Sequence, residues 1–156
     1  MTALQGYTQV FSGDTTVIDT AAAHNVGVRA VDVNGNEYVY GLGVASTAAG
    51  SWVSFDEALA TTLLAANAIG RVGIAMAAIV ADKYGWYQIY GKNTIAASDD
   101  VADNAALYID ATAGRCDDAG VAGDLIFGAW SRSADATNVL TVELNYPFVA
   151  DGAYLV

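Results

Sequence analysis

The side chains best suited to covalent or metal chemistry are scarce in this sequence. Cys116 is the only cysteine and His24 is the only histidine, so no intrachain disulfide forms and a zinc site of several Cys and His ligands is excluded. A nucleophilic pair of Cys116 and His24 is formally possible, but no known nucleophile motif surrounds either residue. The plainer interpretation is a half-buried Cys116 in a turn and a His24 in a loop.

Carboxylates are plentiful, and they could serve a paired-carboxylate hydrolase or a calcium site. General-acid catalysis needs an apolar pocket around one carboxyl, whereas most of these side chains lie in segments rich in Gly, Ala and Asp, which predict solvated turns. Asp99, Asp100 and Asp103 are weak candidates for calcium ligands because the EF-hand spacing is absent. No phosphate loop or hydrolase motif occurs. We predict no catalytic residue and no cofactor.

The aromatic residues are more informative. The chain has 9 Tyr and 3 Trp against 4 Phe, and Tyr and Trp are favoured at interfaces because each combines an apolar ring with a polar tip. Trp86, Tyr87 and Tyr90 lie close together in sequence. They predict a protein interface or a platform on which sugars stack; the plainer interpretation is the core and rim of a β-structure.

Length and charge limit the classes of function. The 156 residues are 54% apolar and 15% charged, which predicts one packed domain rather than disorder. Six Lys and Arg against 17 Asp and Glu give a net charge of −11. This acidity argues against a nucleic-acid partner and against an anionic membrane surface. We also expect no membrane span and no signal peptide.

The elements that must position these side chains are mostly strands. Asn34-Gly35 predicts a type I′ hairpin turn between 26–33 and 37–44. Side-chain patterns with a period of two, such as bulky residues alternating with small ones after Gly70, predict further strands over 72–80, 86–91, 106–110, 124–131 and 138–146. Pro147 is expected to end the last strand or to mark a sheet edge.

One helix is predicted, over about 56–69. Ser54 and Glu57 form a Ser-x-x-Glu capping box, Leu59 and Leu63 follow at helical spacing, and Gly70 ends the segment. The pattern as a whole predicts a mainly β, antiparallel barrel or sandwich with this single short helix. Residues 1–20 are predicted to form an extended N-terminal arm, and 21–156 a single β-rich domain.

The order of motifs resembles small proteins of tailed bacteriophages that decorate, or cement, the capsid. The segment Gly85-Trp86-Tyr87-Gln88-Ile89-Tyr90-Gly91 fits a Gly-Trp-x-Gln-x-x-Gly pattern of that family. The runs that follow in the same order are Ala106-Leu107-Tyr108-Ile109, Thr112-Ala113-Gly114, Asp117-Asp118 and Gly123-Asp124-Leu125-Ile126-Phe127-Gly128. The resemblance covers about 26–147.

The resemblance implies a β-tulip-like, non-enzymatic subunit that binds the outside of a phage capsid and stabilises it. Its partners would be the major capsid protein and two further copies of itself, since a trimer matches a three-fold site. It would be made in the host cytoplasm and end on the outer surface of the virion. We expect the arm, with Tyr7, Val10 and Phe11, to touch the shell or a neighbouring subunit.

For the aromatic group of Trp86, Tyr87 and Tyr90, we expect packing either in the trimer interface or in the β core. Two other functions stay open. One is a carbohydrate-binding, fibre or tail module that uses an aromatic platform. The other, weaker one is an enzyme that uses carboxylates or Cys116.

Overall fold

The computed structural model of the protein describes residues 11–151, which form ten strands and contain no helix. All ten strands belong to one sheet whose pairings are antiparallel, so the predicted mainly β class is confirmed. No helix in this range could cross a membrane. The strands are β1 Arg29–Val31, β2 Glu37–Leu42, β3 Trp52–Phe55, β4 Thr61–Leu63, β5 Gly70–Ala75, β6 Tyr84–Ala97, β7 Ala106–Ile109, β8 Cys116–Asp117, β9 Leu125–Ser131 and β10 Val139–Val149.

The sheet has two halves that share the long strand β6. The first part of β6 pairs with β2 and β5, and its second part pairs with β10. The first half continues through β1 on one side and through β3 and β4 on the other. The second half continues from β10 through β9 and β7 to β8. The bend in β6 therefore joins the two halves, and β5 also pairs with the end of β10.

The first half curls but does not close into a barrel. A single isolated bridge joins Leu42 at the end of β2 to Ala60 just before β4. Its supporting bonds run from the Leu42 N–H to the Leu59 carbonyl at 3.3 Å and from the Thr61 hydroxyl to the Leu42 carbonyl at 2.8 Å.

Three apolar clusters hold the two halves together. The largest packs the two halves face to face and includes Trp52, Ile74, Leu107 and Leu140. The second fills the curl of the first half around Phe55 and Tyr87. The third lies on the outer face of β1, β2 and β6, around Tyr40 and Trp86. Alternate residues of β2, β3, β5 and β6 thus pack in different clusters.

The predicted hairpin is confirmed, but its turn is not type I′. β1 pairs with β2, and Gly35 has the expected positive φ of 81°, whereas Asn34 does not have a positive φ. The Asp32 carboxylate accepts the backbone N–H of Asn34 at 2.8 Å and that of Asn36 at 2.9 Å. These side-chain bonds favour an Asx turn, in which only Gly35 is left-handed. A type I′ turn would need both Asn34 and Gly35 to be left-handed.

The helix predicted over 56–69 is wrong. This segment contains a turn, β4 and a second turn, and Ser54 lies within β3 opposite Thr62 instead of capping a helix. The Asp56 carboxylate accepts the N–H groups of Ala58 and Ala60, both at 2.9 Å, and Leu59 has a φ of 62°. Local bonds of this kind compete with helix formation, and a left-handed residue interrupts it.

Two strands are longer than their patterns predicted. β6 continues to Ala97, and β10 continues through Pro147 to Val149. Pro147 is tolerated because the register between β10 and β9 shifts between Leu144 and Phe148, and a bulge leaves a residue without a ladder bond. Proline therefore ended neither the strand nor the pairing.

Candidate functional site

Two exposed surfaces on different parts of the sheet are the candidate sites. The first is the N-terminal segment, defined as residues 11–28, which lies over the outer face of β1, β2 and β6. Phe11 donates its backbone N–H to the Val31 carbonyl at 2.6 Å, and Asp19 exchanges two backbone bonds of 2.9 Å with Tyr84. The described part of the predicted arm is therefore packed against the domain.

A cluster of aromatic rings lies under this segment. The Phe11 ring centroid is 4.9 Å from that of Trp86, and the His24 ring is 5.2 Å from Trp86 and 5.1 Å from Tyr40. Trp86 is only 3% exposed. Its burial thus depends on rings supplied by the N-terminal segment.

Tyr40 ties the segment to the sheet through its hydroxyl. The hydroxyl donates to the Asp19 carboxylate at 2.5 Å and accepts the backbone N–H of Ala23 at 3.2 Å. Burial, together with the bond to Asp19, raises the pKa of Tyr40 to about 12. The neutral phenol is therefore the form that holds the segment in place.

The segment exposes aliphatic side chains among its polar ones. Four large side chains of residues 11–28 are at least 39% exposed: Val17, Ile18, Val26 and Val28. Four exposed large aliphatic side chains within 18 residues make this segment a candidate surface for contact with another protein.

The second surface is the β10 face, the outward side of β10 and its neighbouring strands. In the ladder, Glu143 lies opposite Trp130 of β9 and Lys92 of β6, so the three side chains form one row. Trp130 is 40% exposed and Tyr90 is 38% exposed. The β10 face consists of Tyr90, Lys92, Phe127, Trp130, Arg132, Glu143, Asn145, Tyr146 and Phe148.

Aromatic rings pair along this face. Phe127 and Phe148 stack with centroids 5.0 Å apart and planes at 10°, and Tyr90 and Tyr146 lie 5.0 Å apart. A bulge at Tyr146, with a φ of 49°, leaves both it and Asn145 exposed on successive positions. The face therefore exposes more ring surface than strict alternation allows.

Between Tyr90 and Trp130 lies a groove of about 880 Å³ that is lined by both polar and apolar residues. Arg132 donates from Nε and Nη2 to one Glu143 oxygen at 2.8 and 2.7 Å, and from Nη1 to Asn104 at 3.3 Å. Lys92 also lines the groove, and its ammonium forms no ion pair with any residue of 11–151. Lys92 is thus the uncompensated positive charge of the groove.

Cations are concentrated around the β10 face. The Arg29 guanidinium lies 5.8 Å from the centroid of the Tyr146 ring, and Arg71 lies opposite Phe148 in the ladder. With Lys92 and Arg132, four of the six Lys and Arg residues lie on this face or beside it. In a chain of net charge −11, this distribution makes the β10 face far less acidic than the remainder.

The bend in β6 connects the two surfaces, and buried amides hold it. Gln88 donates through its side-chain amide to the carbonyls of Tyr90 and Lys92 at 3.1 and 3.0 Å, and Asn93 donates to Gln88 at 2.9 Å. Gly91 has a φ of 90°, and a Cβ there would lie 2.2 Å from the Asn36 side-chain oxygen. The Gly-Trp-x-Gln-x-x-Gly pattern therefore has a structural role in this strand.

The structure separates the three aromatic residues singled out in the sequence. Trp86 and Tyr87 are buried on opposite faces of β6, the first in the cluster under the N-terminal segment and the second inside the curl. Both pack in the β core, and only Tyr90 is exposed. Of the predicted arm contacts, Phe11 packs on Trp86, while Tyr7 and Val10 lie outside the described residues.

The acidic candidates do not converge. Asp99, Asp100 and Asp103 are all exposed, and within 11–151 no group of three or more His, Cys, Asp or Glu side chains is arranged to hold a metal ion. Asp117 has a buried oxygen without a hydrogen-bond partner among the described residues. Burial, followed by the negative charge of Asp110, raises its pKa.

Cys116 and His24 lie in different parts of the molecule and form no pair. Cys116 is fully buried in the largest cluster, where burial, followed by the charge of Asp117, raises the pKa of its thiol. His24 is exposed and lies on the aromatic cluster around Trp86. A thiol that stays protonated is a poor nucleophile.

Sequence reasoning missed several residues of the β10 face, namely Trp130, Tyr146 and Phe148. Alternation placed Trp130 and Tyr146 on strands, but their neighbours across the sheet were unknown. The alternation that places Glu143 and Asn145 outward was the available signal that this side of β10 is exposed. No protein-family model matches the chain, and neither the curated proteins nor the solved structures include a significant match to it.

Proposed function

We propose that this protein is a non-enzymatic structural subunit that binds the outside of a tailed-phage capsid and stabilises it as a trimer. The observation that carries the proposal is the N-terminal segment, which covers an aromatic cluster and exposes Val17, Ile18, Val26 and Val28. The sequence pattern resembling the cement proteins supports the same assignment. In this chain Gln88 and Gly91 of that pattern hold the bend in β6.

On this proposal the N-terminal segment faces the major capsid protein or a neighbouring copy. Apolar contacts of modest area bind weakly one at a time, but three copies in one trimer bind with avidity. The acidic charge of the remaining surface keeps the subunit soluble before assembly. The β10 face then stays available for a different partner.

The test is cosedimentation with capsids built from the major capsid protein of the same genome. Val17→Glu should weaken binding, because it places a charge in the apolar contact. Val121→Glu is the matched control, since Val17 and Val121 are 48% and 50% exposed and lie in different regions. Equal occupancy of both variants on the shell would overturn the docking role of the segment.

The mass in solution tests the trimer. Light scattering should give about 48 kDa, three times the chain mass of 16.1 kDa. A protein that has a mass of 16.1 kDa alone, and that stays an unbound monomer when capsids are added, would contradict the trimer.

The β10 face favours a second function, carbohydrate binding. Exposed Trp and Tyr rings stack on the apolar faces of sugars, and polar side chains between the rings bond to hydroxyl groups. Trp130 and Tyr90 flank a groove that also carries the polar side chains of Lys92, Glu143 and Asn145. Loss of binding to oligosaccharides in Trp130→Ala, with the fold intact, is the expected result.

A further inference from the structure

We infer that the groove of the β10 face binds an acidic oligosaccharide, and that Lys92 recognises the carboxylate of one sugar. This inference rests on the second function proposed above and names its ligand class. It starts from a charge arrangement that a site for neutral sugars does not need.

The first step concerns the two cations of the groove. Arg132 is occupied, because its guanidinium bonds to both Glu143 and Asn104. Glu143 lies opposite Lys92 in the ladder, but its carboxylate bonds to Arg132 instead. With no carboxylate of residues 11–151 paired to it, the Lys92 ammonium can bind an anion brought by a ligand.

The second step concerns spacing. Trp130, Glu143 and Lys92 lie on three adjacent strands, so Trp130 and Lys92 are separated by about 10 Å, twice the distance between neighbouring strands. A sugar ring stacked on Trp130 can thus be linked to a second ring whose carboxylate reaches Lys92. Tyr90, opposite Asn145 in the ladder, supplies a second ring surface beside that carboxylate.

The third step concerns selectivity against other anions. The chain has a net charge of −11, so a highly charged polyanion such as a nucleic acid is repelled as a whole. A short glycan with one carboxylate per sugar meets less repulsion and gains ring stacking. The groove of about 880 Å³ is large enough for two or three sugar rings.

The experiment titrates the full chain with trigalacturonate and with its neutral counterpart galactotriose, following tryptophan fluorescence. Trp52 and Trp86 are buried and Trp130 is exposed, so a change on binding reports on the groove. Trigalacturonate should bind about fivefold tighter, as one exposed ion pair provides, and the difference should shrink in high salt. A second pair, sialyllactose against lactose, repeats the comparison with another acidic sugar.

Lys92→Gln should abolish the preference for the acidic sugar, and Lys83→Gln should retain it. Lys83, the only other lysine, lies outside the groove. Equal binding of acidic and neutral sugars in both pairs would overturn the role of Lys92 and leave carbohydrate binding standing. If no sugar binds while Trp130→Ala lowers occupancy on capsids, the face is a protein interface, and both the inference and the second function are wrong.

Discussion

Trp86 and Trp130 have the same side chain but differ widely in solvent exposure between the two surfaces. Each lies on a central strand with its ring pointing away from the sheet, yet Trp86 is 3% exposed and Trp130 is 40% exposed. The difference is a covering segment: Phe11 and His24 lie on Trp86, whereas Trp130 keeps a large part of its ring open to solvent. Whether an outward aromatic residue is buried in the core or exposed as part of a candidate site therefore depends on a distant part of the chain.

The largest expected effect on stability comes from removing the covered ring of Trp86. Trp86→Ala should lower the free energy of unfolding by about 3–5 kcal/mol, because a buried aromatic side chain leaves a cavity. Trp130→Ala should lower it by about 1 kcal/mol or less, since much of that ring is already hydrated. Urea denaturation of both variants measures the difference. Equal losses would show that the N-terminal segment does not shield Trp86.

The second largest effect on stability is expected at the bend in β6 between the two surfaces. Gly91→Ala should cost about 2–3 kcal/mol, because a Cβ meets Asn36 and the backbone has a positive φ. Gly35→Ala is the matched control: its φ is 81°, but a Cβ there meets nothing within 4 Å. It should cost only the backbone strain, about 1 kcal/mol. Equal losses in thermal or urea unfolding would mean that the contact with Asn36 is unimportant.

A smaller effect is expected for the tyrosine hydroxyls of each surface. Tyr40→Phe should cost about 1–2 kcal/mol, since Asp19 and the Ala23 N–H lose a partly buried partner. Tyr146→Phe, which removes an exposed 2.8 Å bond to Glu37, should cost about 0.5 kcal/mol. A larger loss for Tyr146→Phe would reverse the comparison.

The pH dependence gives the Tyr40 hydroxyl a second test. Because folding raises its pKa from 10.0 to about 12, the folded state holds the phenol proton more tightly. The free energy of unfolding should therefore fall as the pH rises from about 10 to about 12. Tyr40→Phe should make this fall shallower without abolishing it, since the pKa values of Tyr38 and Tyr87 are also raised to about 12.

The smallest effect is expected for the ion pair of the β10 face. Arg132→Ala should change the free energy of unfolding by less than about 1 kcal/mol, because both partners are near half exposed and water screens the pair. The change should vanish in high salt. A loss of several kcal/mol would mean that the groove contributes to folding and is not merely a surface.

Local patterns predicted most of the strands. Alternation in β9 and β10 marked which side chains share a face, and Asn34-Gly35 marked the first hairpin, since these signals depend only on neighbours in the sequence. The helix over 56–69 failed for the same reason: Leu59 and Leu63 have helical spacing, yet both pack on the cluster inside the curl as parts of a turn and a strand. Spacing alone did not distinguish the two.

By itself, the sequence determined the mainly β class, the acidic charge, and the absence of a Cys and His zinc site. The tertiary structure decided which outward rings are covered, because coverage of Trp86 depends on Phe11, 75 positions earlier. It also decided that Lys92 has no ion-pair partner within residues 11–151, because Glu143 lies opposite Lys92 in the ladder but bonds to Arg132. Both outcomes depend on long-range contacts, and no local pattern encodes which of several compatible partners a side chain meets.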